Sequence, residues 1–398
     1  YDAMVRGVGR ASDGLVAWPN LQKSCKLMFV PKFAYTDHGM KVGPNSSVPG
    51  DNRALLQLYS TPPDAYEVET EPELLFLHCL YALSDRNLGI IESNFIMGVF
   101  NFFACIDANW RELVEAVRTG MLPENLEISD STRLKLESGL MPNPIRASEL
   151  EQIVDGKGDT TTGNPEDIIK GQESPSFARR VWPKLHTIMA NETGSFHLCG
   201  KRVRELWVGN DVTIFSPLYA ATEGLIGVNL DVSGRTYTLC PRSMFFEFLP
   251  IQLLDESNDM DETELSNRTL FIEELVVGEE YEMIITNLTG LYRYRFGDVI
   301  RCVGYEEQSP IVEVAYRRGQ FLNAQGERTS EETFYRALSM TVEKQWKLSL
   351  CDYTCVEYFL GSGSRPRYTV FLELNDDDGM PLLRNLTRNE IEDLDREL

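Results

Sequence analysis

The chain has 398 residues, with 61 acidic against 38 basic residues and a formal charge of −23. This acidic excess argues against the basic surface that a nucleic-acid backbone or an anionic membrane requires, so we expect neither as a partner. Hydrophobic residues make up 42% of the chain, which is typical of folded domains, and the length predicts two or three of them. No run approaches the ~20 apolar residues of a membrane span.

The two ends of the chain indicate a fragment of a longer protein. It begins at Tyr1 without an initiator methionine or a signal pattern, and it stops inside a helical pattern over residues 388–398. We expect a cytoplasmic protein, or one of the endoplasmic reticulum if a targeting segment lies upstream. The eight scattered cysteines require neither disulfides nor zinc, because Cys351 and Cys355 have no second pair nearby.

The first half of the chain is predicted to be mainly helical. A strand is expected at residues 26–30, within a glycine-rich region. Residues 72–118 form the most helical part, because apolar side chains surround two segments and a third segment is amphipathic. The three predicted helices are 73–83, 95–105 and 108–117, and Gly120 is expected to close the last of them.

From residue 181 onward the pattern is that of an α/β fold. A helix is predicted over residues 196–206. Short apolar or alternating runs predict the strands of this part. These strands are expected at residues 185–189, 212–215, 226–230, 245–249, 281–286 and 311–314.

The character of the chain changes at residues 316–319, where a polar, glycine-containing segment begins. A helix is predicted over residues 331–348, with apolar side chains at every fourth position, and an alternating strand is predicted over residues 368–374. We therefore expect a large α/β domain over residues 1–319 and a small α+β domain over residues 320–398, both incomplete.

Residues 287–301 carry the densest chemistry in the chain. Asp298 follows a glycine directly and precedes an apolar strand. An ionised carboxylate has two acceptor oxygens, so it is suited to holding the two hydroxyls of a ribose. In the alternative interpretation Asp298 belongs to an ordinary capped turn and pairs with Arg295 or Arg301. The segment by itself leaves both interpretations open.

Two further stretches of the chain carry side chains that could bind a nucleotide together with this segment. Residues 219–224 are predicted to form a loop at a sheet edge, where Tyr219 could stack on a base, Thr222 could contact an α-phosphate and Glu223 could ligate Mg²⁺. The pair Arg317 and Arg318 follows Asp298 by about twenty residues, where the small domain is expected to start. Each stretch is also typical of an ordinary loop. In this order and at these spacings they are similar to those of adenylate-forming enzymes.

The sequence resembles one family of those enzymes more closely, the Gretchen Hagen three family of acyl acid–amido synthetases. The resemblance extends from about residue 50 to the end, and residues 55–62 with the C-terminal part are most similar to its animal branch. Six blocks in order carry it. They are Arg180-Val-Trp-Pro183, the glycine-marked turn at Gly194, Tyr219-Ala-Ala-Thr-Glu-Gly-Leu-Ile-Gly-Val-Asn229, Phe245-Phe-Glu-Phe-Leu-Pro250, Val277-Gly-Glu-Glu-Tyr-Glu282 and Leu291-Tyr-Arg-Tyr-Arg-Phe-Gly-Asp-Val299.

The resemblance implies an α/β fold of the luciferase-like, adenylate-forming type, with a large N-terminal domain and a small mobile C-terminal α+β domain. It implies an enzyme that uses ATP and Mg²⁺ to convert a carboxylic acid into an acyl-adenylate, which the amine of an amino acid then attacks. Residue by residue, it implies Tyr219 on the adenine, Thr222 on the phosphate side and Glu223 on the metal. Asp298 would hold the ribose, and Arg317 and Arg318 would lie near the hinge.

The sequence departs from the family pattern in three places. The serine- and glycine-rich phosphate loop has no match in the chain, Ala221-Thr222 stands where two serines are common, and Arg328 occupies the position of a lysine near the hinge. Arg328 is expected to be catalytic if it replaces that lysine, although a guanidinium differs in geometry from an ammonium. An acid–amino acid ligase is thus expected. The alternatives are a catalytically degenerate nucleotide- or protein-binding module and a related ligase with a thiol acceptor.

Overall fold

The structure is a computed structural model that describes residues 23–29, 34–42, 58–155, 175–192, 196–231, 234–256, 267–318, 321–322, 329–358 and 367–375. Contacts between Cα atoms divide the chain into two compact units. The first comprises Tyr1–Tyr219 and Val228–Arg235, and the second comprises Ala220–Gly227 and Thr236–Leu398. The expected domain boundary between residues 319 and 320 differs from this division and stays a prediction.

The first unit is built on a four-stranded parallel sheet. Its strands are β1 (Ser24–Leu27), β4 (Ile90–Phe95), β5 (Thr187–Asn191) and β6 (Thr213–Phe215), adjacent in that order, while β2 (Ala34–Tyr35) and β3 (Lys41–Val42) form a separate pair. Parallel strands require long crossovers, which helices provide here. Strand β4 lies between the predicted helices 73–83 and 95–105, where the sequence predicted no strand, and it overlaps the second of them only at Phe95.

Four of the seven helices of the first unit confirm the predicted ones at residues 73–83, 95–105, 108–117 and 196–206. The seven helices are α1 (Glu71–Ser84), α2 (Ile96–Ala108), α3 (Trp110–Thr119), α4 (Asp130–Gly139), α5 (Pro144–Asp155), α6 (Phe177–Val181) and α7 (Phe196–Val203), which continues as a π-helical turn over Arg204–Val208. Pro72 and two acidic residues in the first turn favour the start of α1. Gly120 ends α3 with a φ of 72°, which confirms the predicted cap.

The core of the first unit lies around Trp182, which is fully buried. The Trp182 indole nitrogen donates to the Ala82 carbonyl over 2.7 Å. The rings of Phe102 and Phe103 pack on the same indole at centroid distances of 6.0 and 6.2 Å. This packing satisfies the indole N–H and buries its apolar face, as a buried tryptophan requires.

The second unit is built on a seven-stranded sheet. Its strands, in order across the sheet, are β10 (Phe245–Pro250), β11 (Glu280–Thr286), β12 (Tyr294–Glu306), β13 (Ser309–Arg317), β9 (Thr236–Leu239), β8 (Gly224–Val228) and β7 (Leu218–Ala221). The pairs from β10 to β9 are antiparallel. A short helix, α8 (Ile251–Glu256), follows β10. The strands predicted at residues 226–230, 245–249, 281–286 and 311–314 are confirmed, within the usual shifts of their ends.

The last part of the second unit contains a cluster of its own. Strands β14 (Phe321–Leu322) and β15 (Thr329–Ser330) precede helix α9 (Glu331–Thr341), which runs into a π-helical turn over Val342–Trp346 and then the hairpin of β16 (Ser349–Tyr358) and β17 (Arg367–Asn375). Apolar side chains at helical spacing pack on this hairpin, as the sequence predicted. Arg328 and the helix predicted over residues 388–398 lie outside the described residues.

None of the helices in the described part of the chain is both long and apolar enough to span a membrane.

Candidate functional site

Residues 219–224 form the end of a tight β-hairpin. Tyr219 is buried within β7, Thr222 and Glu223 make the two-residue turn, and Gly224 begins β8. The sequence predicted a loop here, which is wrong for Tyr219, because pairing between β7 and β8 continues up to the turn. Thr222 is exposed and Glu223 is half-buried. Gly224 has a φ of 143°, a backbone conformation that other residues rarely adopt, so glycine is favoured here.

Asn287 fastens this turn to the segment that leads into β12. Its Nδ2 donates to the Glu223 carbonyl over 3.0 Å. Its Oδ1 accepts from the backbone N–H groups of Thr289 at 3.1 Å and Leu291 at 3.2 Å. Because Asn287 is buried, these bonds are shielded from water and order the turn. The hairpin turn and the segment around Asp298, two of the stretches that the sequence singled out, are therefore linked directly.

A β-bulge places Asp298. Between the cross-strand pairs Glu282–Val299 and Ile284–Arg295, β11 has one residue and β12 has three. Gly297, in the middle of those three, has a φ of 87°, which few residues other than glycine adopt without strain. A bulge changes the direction of the side chains that follow it, and the first to follow is Asp298.

Asp298 forms an ion pair with Arg317 on the neighbouring strand. The two are cross-strand partners, with 3.5 Å between Arg317 Nε and Asp298 Oδ1, and the Asp298 side chain is 11% exposed against 47% for Arg317. The Arg317 guanidinium also lies 5.2 Å from the centroid of the Phe296 ring.

The two arginines of the capped-turn interpretation, Arg295 and Arg301, each bind a glutamate. Arg301 pairs with Glu280 on the surface. Arg295 donates to both oxygens of Glu282, at 2.9 and 2.5 Å, and Arg318 donates to Glu282 as well, over 2.8 Å. Since the Glu282 side chain is only 4% exposed, this carboxylate is a buried anchor for two arginines.

Arg318 is also fixed through its backbone. Its N–H donates to the Gly297 carbonyl over 2.7 Å, which joins the end of β13 to the bulge. The bulge, the Asp298 ion pair and the Glu282 anchor are therefore one connected arrangement.

Glu247 anchors a third arginine of the same stretch. Arg293 donates to both Glu247 oxygens, at 3.0 and 2.8 Å, and the Thr269 hydroxyl donates to the same carboxylate at 3.0 Å. Arg293 has a φ of 47°, a left-handed conformation that costs energy in a non-glycine residue. The bidentate ion pair offsets that cost and orders the turn before β12.

The sequence analysis missed Glu247 and Glu282, although a signal was present. Each lies among large apolar residues in a predicted strand, in Phe245-Phe-Glu-Phe and Tyr281-Glu-Met-Ile. A carboxylate in such a position is buried and requires a cationic partner, and the nearby sequence Tyr292-Arg-Tyr-Arg295 supplies two.

The structure brings Glu223, Asp298, Arg317 and Arg318 into the second unit, together with Thr222. Tyr219 is the last residue of the first unit, and Arg328 lies outside the described residues. Within the described part of the chain no group of three or more His, Cys, Asp or Glu side chains is arranged to hold a metal ion. A cation held through Glu223 would therefore draw its remaining ligands from a bound phosphate or water.

The fold is that of acyl acid amido synthetases. The solved structure of the GH3.15 acyl acid amido synthetase matches 100% of this chain with a TM-score of 0.73 at 21% identity, and the match covers 67% of that protein. The model of the GH3 family N-terminal domain matches residues 10–211, and that of the GH3 family central domain matches residues 237–317. The chain belongs to the GH3 family, which is the Gretchen Hagen three family that the sequence resembles.

Curated relatives include animal and plant proteins. A GH3 domain-containing protein of Mus musculus is 32% identical over 330 residues, which is 82% of this chain and 53% of that protein. The 4-substituted benzoates-glutamate ligase GH3.12 of Arabidopsis thaliana is 26% identical over 332 residues, or 81% and 52% of the two chains. The chain spans about half the length of the curated relatives it matches.

Proposed function

We propose that the protein to which this chain belongs is an ATP-dependent acid–amino acid ligase of the AMP-forming kind. It activates a carboxylic acid as an acyl-adenylate and joins it to the amine of an amino acid. The observation that carries the proposal is Asp298, a buried carboxylate set by a bulge beside Arg317, within the region that matches the family's central domain. The plant relative named as a benzoate–glutamate ligase supports the same reaction class.

The residues present fit a nucleotide. A carboxylate that is fixed by the bulge within β12 can accept both ribose hydroxyls, and the neighbouring guanidinium of Arg317 adds positive charge for the phosphates. Thr222 offers an exposed hydroxyl on a two-residue turn, suited to a phosphate oxygen. Tyr219 is the candidate for the adenine, because an aromatic ring can stack on a base.

The residues present also fit Mg²⁺ bound together with the nucleotide. Glu223 is one half-buried carboxylate, and Mg²⁺ commonly uses one or two carboxylates with phosphate oxygens and water. The ion would supply charge neutralisation at the phosphates. The bond from Asn287 to the Glu223 carbonyl holds this residue in place.

Glu282 positions the cations of this site. It binds both Arg295 and Arg318, so their guanidinium groups are held in place before a ligand arrives. Preorganised charge of this kind acts without reorganisation at the moment of reaction.

One sequence feature favours a second candidate, a nucleotide-binding module without catalysis. Arg328 stands where the plant enzymes carry a lysine near the hinge, and a guanidinium cannot reproduce the compact geometry of an ammonium. If that lysine position is essential for the reaction, binding would persist while turnover is lost.

The test is ATP binding by calorimetry with the full-length protein and with the variants Asp298→Ala, Asp298→Asn and Glu223→Ala. Because a charge-assisted hydrogen bond contributes ~1.5–3 kcal/mol, Asp298→Ala is expected to weaken ATP binding about tenfold or more. Glu280→Gln removes a surface carboxylate of the same sheet and is expected to leave binding unchanged. Thermal melts confirm that each variant is folded.

Pyrophosphate exchange then separates the two candidates. With a panel of carboxylic acids, exchange that depends on one of them supports the ligase, and subsequent amide formation with an amino acid, but no product with coenzyme A, assigns the acceptor. ATP binding without any exchange assigns the non-catalytic module. Equal ATP affinity in wild type, Asp298→Ala and Glu223→Ala would remove the proposed site.

A further inference from the structure

A cavity of about 270 Å³ lies in the first unit, against strand β6 at the edge of the parallel sheet. Its two apolar lining residues, Val212 and Ile214, are almost fully buried. The residues with polar side chains that line it are Glu192, Arg204, Asn210, Thr213, Ser216 and Arg235. Two arginines against one glutamate give the lining a formal charge of +1, whereas the whole chain carries −23. A cationic cavity in an acidic chain indicates an anionic ligand.

A buried ion pair forms one wall of the cavity. Arg204 donates to both oxygens of Glu192, at 2.8 and 2.7 Å. The Glu192 side chain is only 6% exposed, and a Cβ on Gly200 would clash with its Oε2, so helix α7 packs closely on the carboxylate. Because a guanidinium already binds both oxygens, the charge of Glu192 is compensated inside the protein.

Arg235 supplies the positive charge in excess of this pair. Its Nε lies 3.9 Å from Glu192 Oε1, and its side chain is 41% exposed. The segment that precedes it is fixed, because Asn229 Nδ2 donates to the Gly234 carbonyl and the Asn229 N–H donates to the Pro217 carbonyl, both over 2.9 Å. The Arg235 guanidinium is therefore held beside the cavity and stays within reach of a ligand from solvent.

The backbone of the cavity wall has two uncommon conformations. The turn over Arg204–Val208 is π-helical, and the Gly209 N–H closes it by donating to the Arg204 carbonyl over 2.8 Å. Gly209 has a φ of 63° and a ψ of −154°, a conformation that is essentially restricted to glycine. Single π-helical turns are rare and occur frequently at functional sites. Here the residues at both ends of the turn line the cavity.

We propose that this cavity binds a small hydroxylated carboxylate, for which lactate is the probe. The ligand carboxylate pairs with the Arg235 guanidinium, whose planar fork of N–H donors matches two carboxylate oxygens. One arginine in excess of the Glu192–Arg204 pair matches one negative charge on the ligand. Binding at this cavity requires neither ATP nor catalysis, because none of the residues proposed for the nucleotide lines it.

The other polar groups of the lining select a hydroxylated ligand. Thr213 and Asn210 contribute a hydroxyl and an amide. Ser216 Oγ donates to the Ala190 carbonyl over 3.0 Å and accepts from the Glu192 N–H over 3.1 Å, which leaves one lone pair for a ligand. An alkyl chain would leave these groups without partners, at a cost in free energy. The volume admits lactate together with a few waters, each of which takes about 30 Å³.

The first experiment maps arginine reactivity in the full-length protein. Phenylglyoxal modifies accessible guanidinium groups, and mass spectrometry locates them, in lactate, propionate, phosphate or chloride at equal ionic strength. Lactate at about twice its dissociation constant leaves one third of the sites free and is expected to slow the modification of Arg235 about threefold relative to chloride. Arg86, which belongs to the same unit and has a side chain that is 55% exposed, is expected to react at an unchanged rate.

The four anions separate the possible ligand classes. Protection of Arg235 that is strongest with lactate and weaker with propionate supports a hydroxylated carboxylate. Equal protection by lactate and propionate would contradict a role for the ligand hydroxyl. Protection by phosphate that equals or exceeds that by lactate, or no difference between lactate and chloride, would overturn the proposal.

Three variants test which groups bind, with lactate and propionate affinities measured by calorimetry. Arg235→Gln keeps the Glu192–Arg204 pair and is expected to weaken lactate binding about tenfold or more, because a charge-assisted hydrogen bond is lost. Thr213→Val removes a hydroxyl at nearly constant shape and is expected to reduce the preference for lactate over propionate. Arg86→Gln is the matched control and is expected to bind lactate as the wild type does.

Thermal melts show whether each variant is folded. A folded Arg235→Gln variant with wild-type affinity for lactate would overturn the proposal, and so would equal weakening in Arg235→Gln and Arg86→Gln. The footprint of the wild-type protein decides the question even if a variant fails to fold, because it requires no substitution.

Discussion

At the scale of single residues, buried carboxylates organise the cationic side chains. Glu192, Glu247 and Glu282 are each almost fully buried, and each binds an arginine through both carboxylate oxygens. Burying an unpaired carboxylate costs several kcal/mol, so these arginines are required wherever the glutamates are buried. In the second unit, the two arginines of these pairs, Arg293 and Arg295, lie at and near the start of the strand that carries Asp298.

Glu282→Gln is expected to lower the free energy of unfolding by about 2–3 kcal/mol, because two guanidinium groups lose the charge that they share. The cost stays below that of a fully buried pair, since Arg295 and Arg318 reach water. Urea denaturation of the wild type and the variant measures this change in the free energy of unfolding. Glu280→Gln, two residues earlier on β11, removes only a surface pair and is expected to change stability by less than about 0.5 kcal/mol. Equal losses of unfolding free energy in Glu282→Gln and Glu280→Gln would show that burial of Glu282 does not determine the cost.

His78 makes stability depend on pH. It is buried, bonded to Thr61 Oγ1 at 2.8 Å, and burial lowers its pKa from 6.5 to about 4. Between these values the unfolded chain binds a proton that the folded chain does not, so stability falls as pH drops from 6.5 toward 4, by up to about 3 kcal/mol. Unfolding measured at pH 7.5 and pH 5 should show this loss, and His78→Gln should reduce it. If the stability of His78→Gln depends on pH as that of the wild type does, groups other than His78 cause the loss.

At the scale of elements, helix ends and strand irregularities depend on single polar contacts. The guanidinium of Arg146, near the start of α5, donates to the Leu83 carbonyl at the end of α1 and to the Val181 carbonyl at the end of α6, both over 2.8 Å. Carbonyls at helix ends have no partner within their helix. One buried arginine therefore joins three helices of the first unit.

Arg146→Lys is expected to lower the free energy of unfolding by about 2–3 kcal/mol, because an ammonium group cannot reach both carbonyls and Glu149 with the same geometry. Arg86→Lys is the matched control. Arg86 pairs with the same Glu149, but its side chain is 55% exposed, and the change is expected to cost less than about 0.5 kcal/mol. Thermal and urea unfolding of both variants give the comparison. A similar cost for both would mean that Glu149, rather than the carbonyls, makes Arg146 important.

The bulge in β12 depends on Gly297. Its φ is 87°, and a Cβ would meet nothing closer than 3.7 Å, so Gly297→Ala is expected to cost about 1–2 kcal/mol through backbone strain rather than through a clash. Gly278 also has a positive φ and open space around it. Gly278→Ala should therefore cost a similar amount, while only Gly297→Ala weakens ATP binding, because only Gly297 precedes Asp298. Weakened binding in both variants would point to a general loss of stability.

At the scale of the whole molecule, the charge of −23 opposes compaction through mutual repulsion. Raising the salt concentration from about 20 to 150 mM shortens the screening length to about 8 Å, and the melting temperature is expected to rise. Differential scanning fluorimetry in a neutral buffer checks this. A fall in the melting temperature would mean that surface ion pairs stabilise the fold more than the excess charge destabilises it.

The sequence by itself determined the α/β class, most helices and strands, and the family. Local patterns determine these features, because apolar periodicity and glycine positions act within a few residues. It also predicted the apolar face of α9, of which Phe334, Leu338 and Val342 are buried.

The tertiary structure alone decided which charges meet. Asp298 pairs with Arg317, because the bulge and the antiparallel register of β12 and β13 bring positions 298 and 317 together. The hydrogen bond from Asn287 to the Glu223 carbonyl likewise joins positions that local patterns do not connect. Pairing across strands and between helices is set by packing of distant segments, and no local propensity encodes that information.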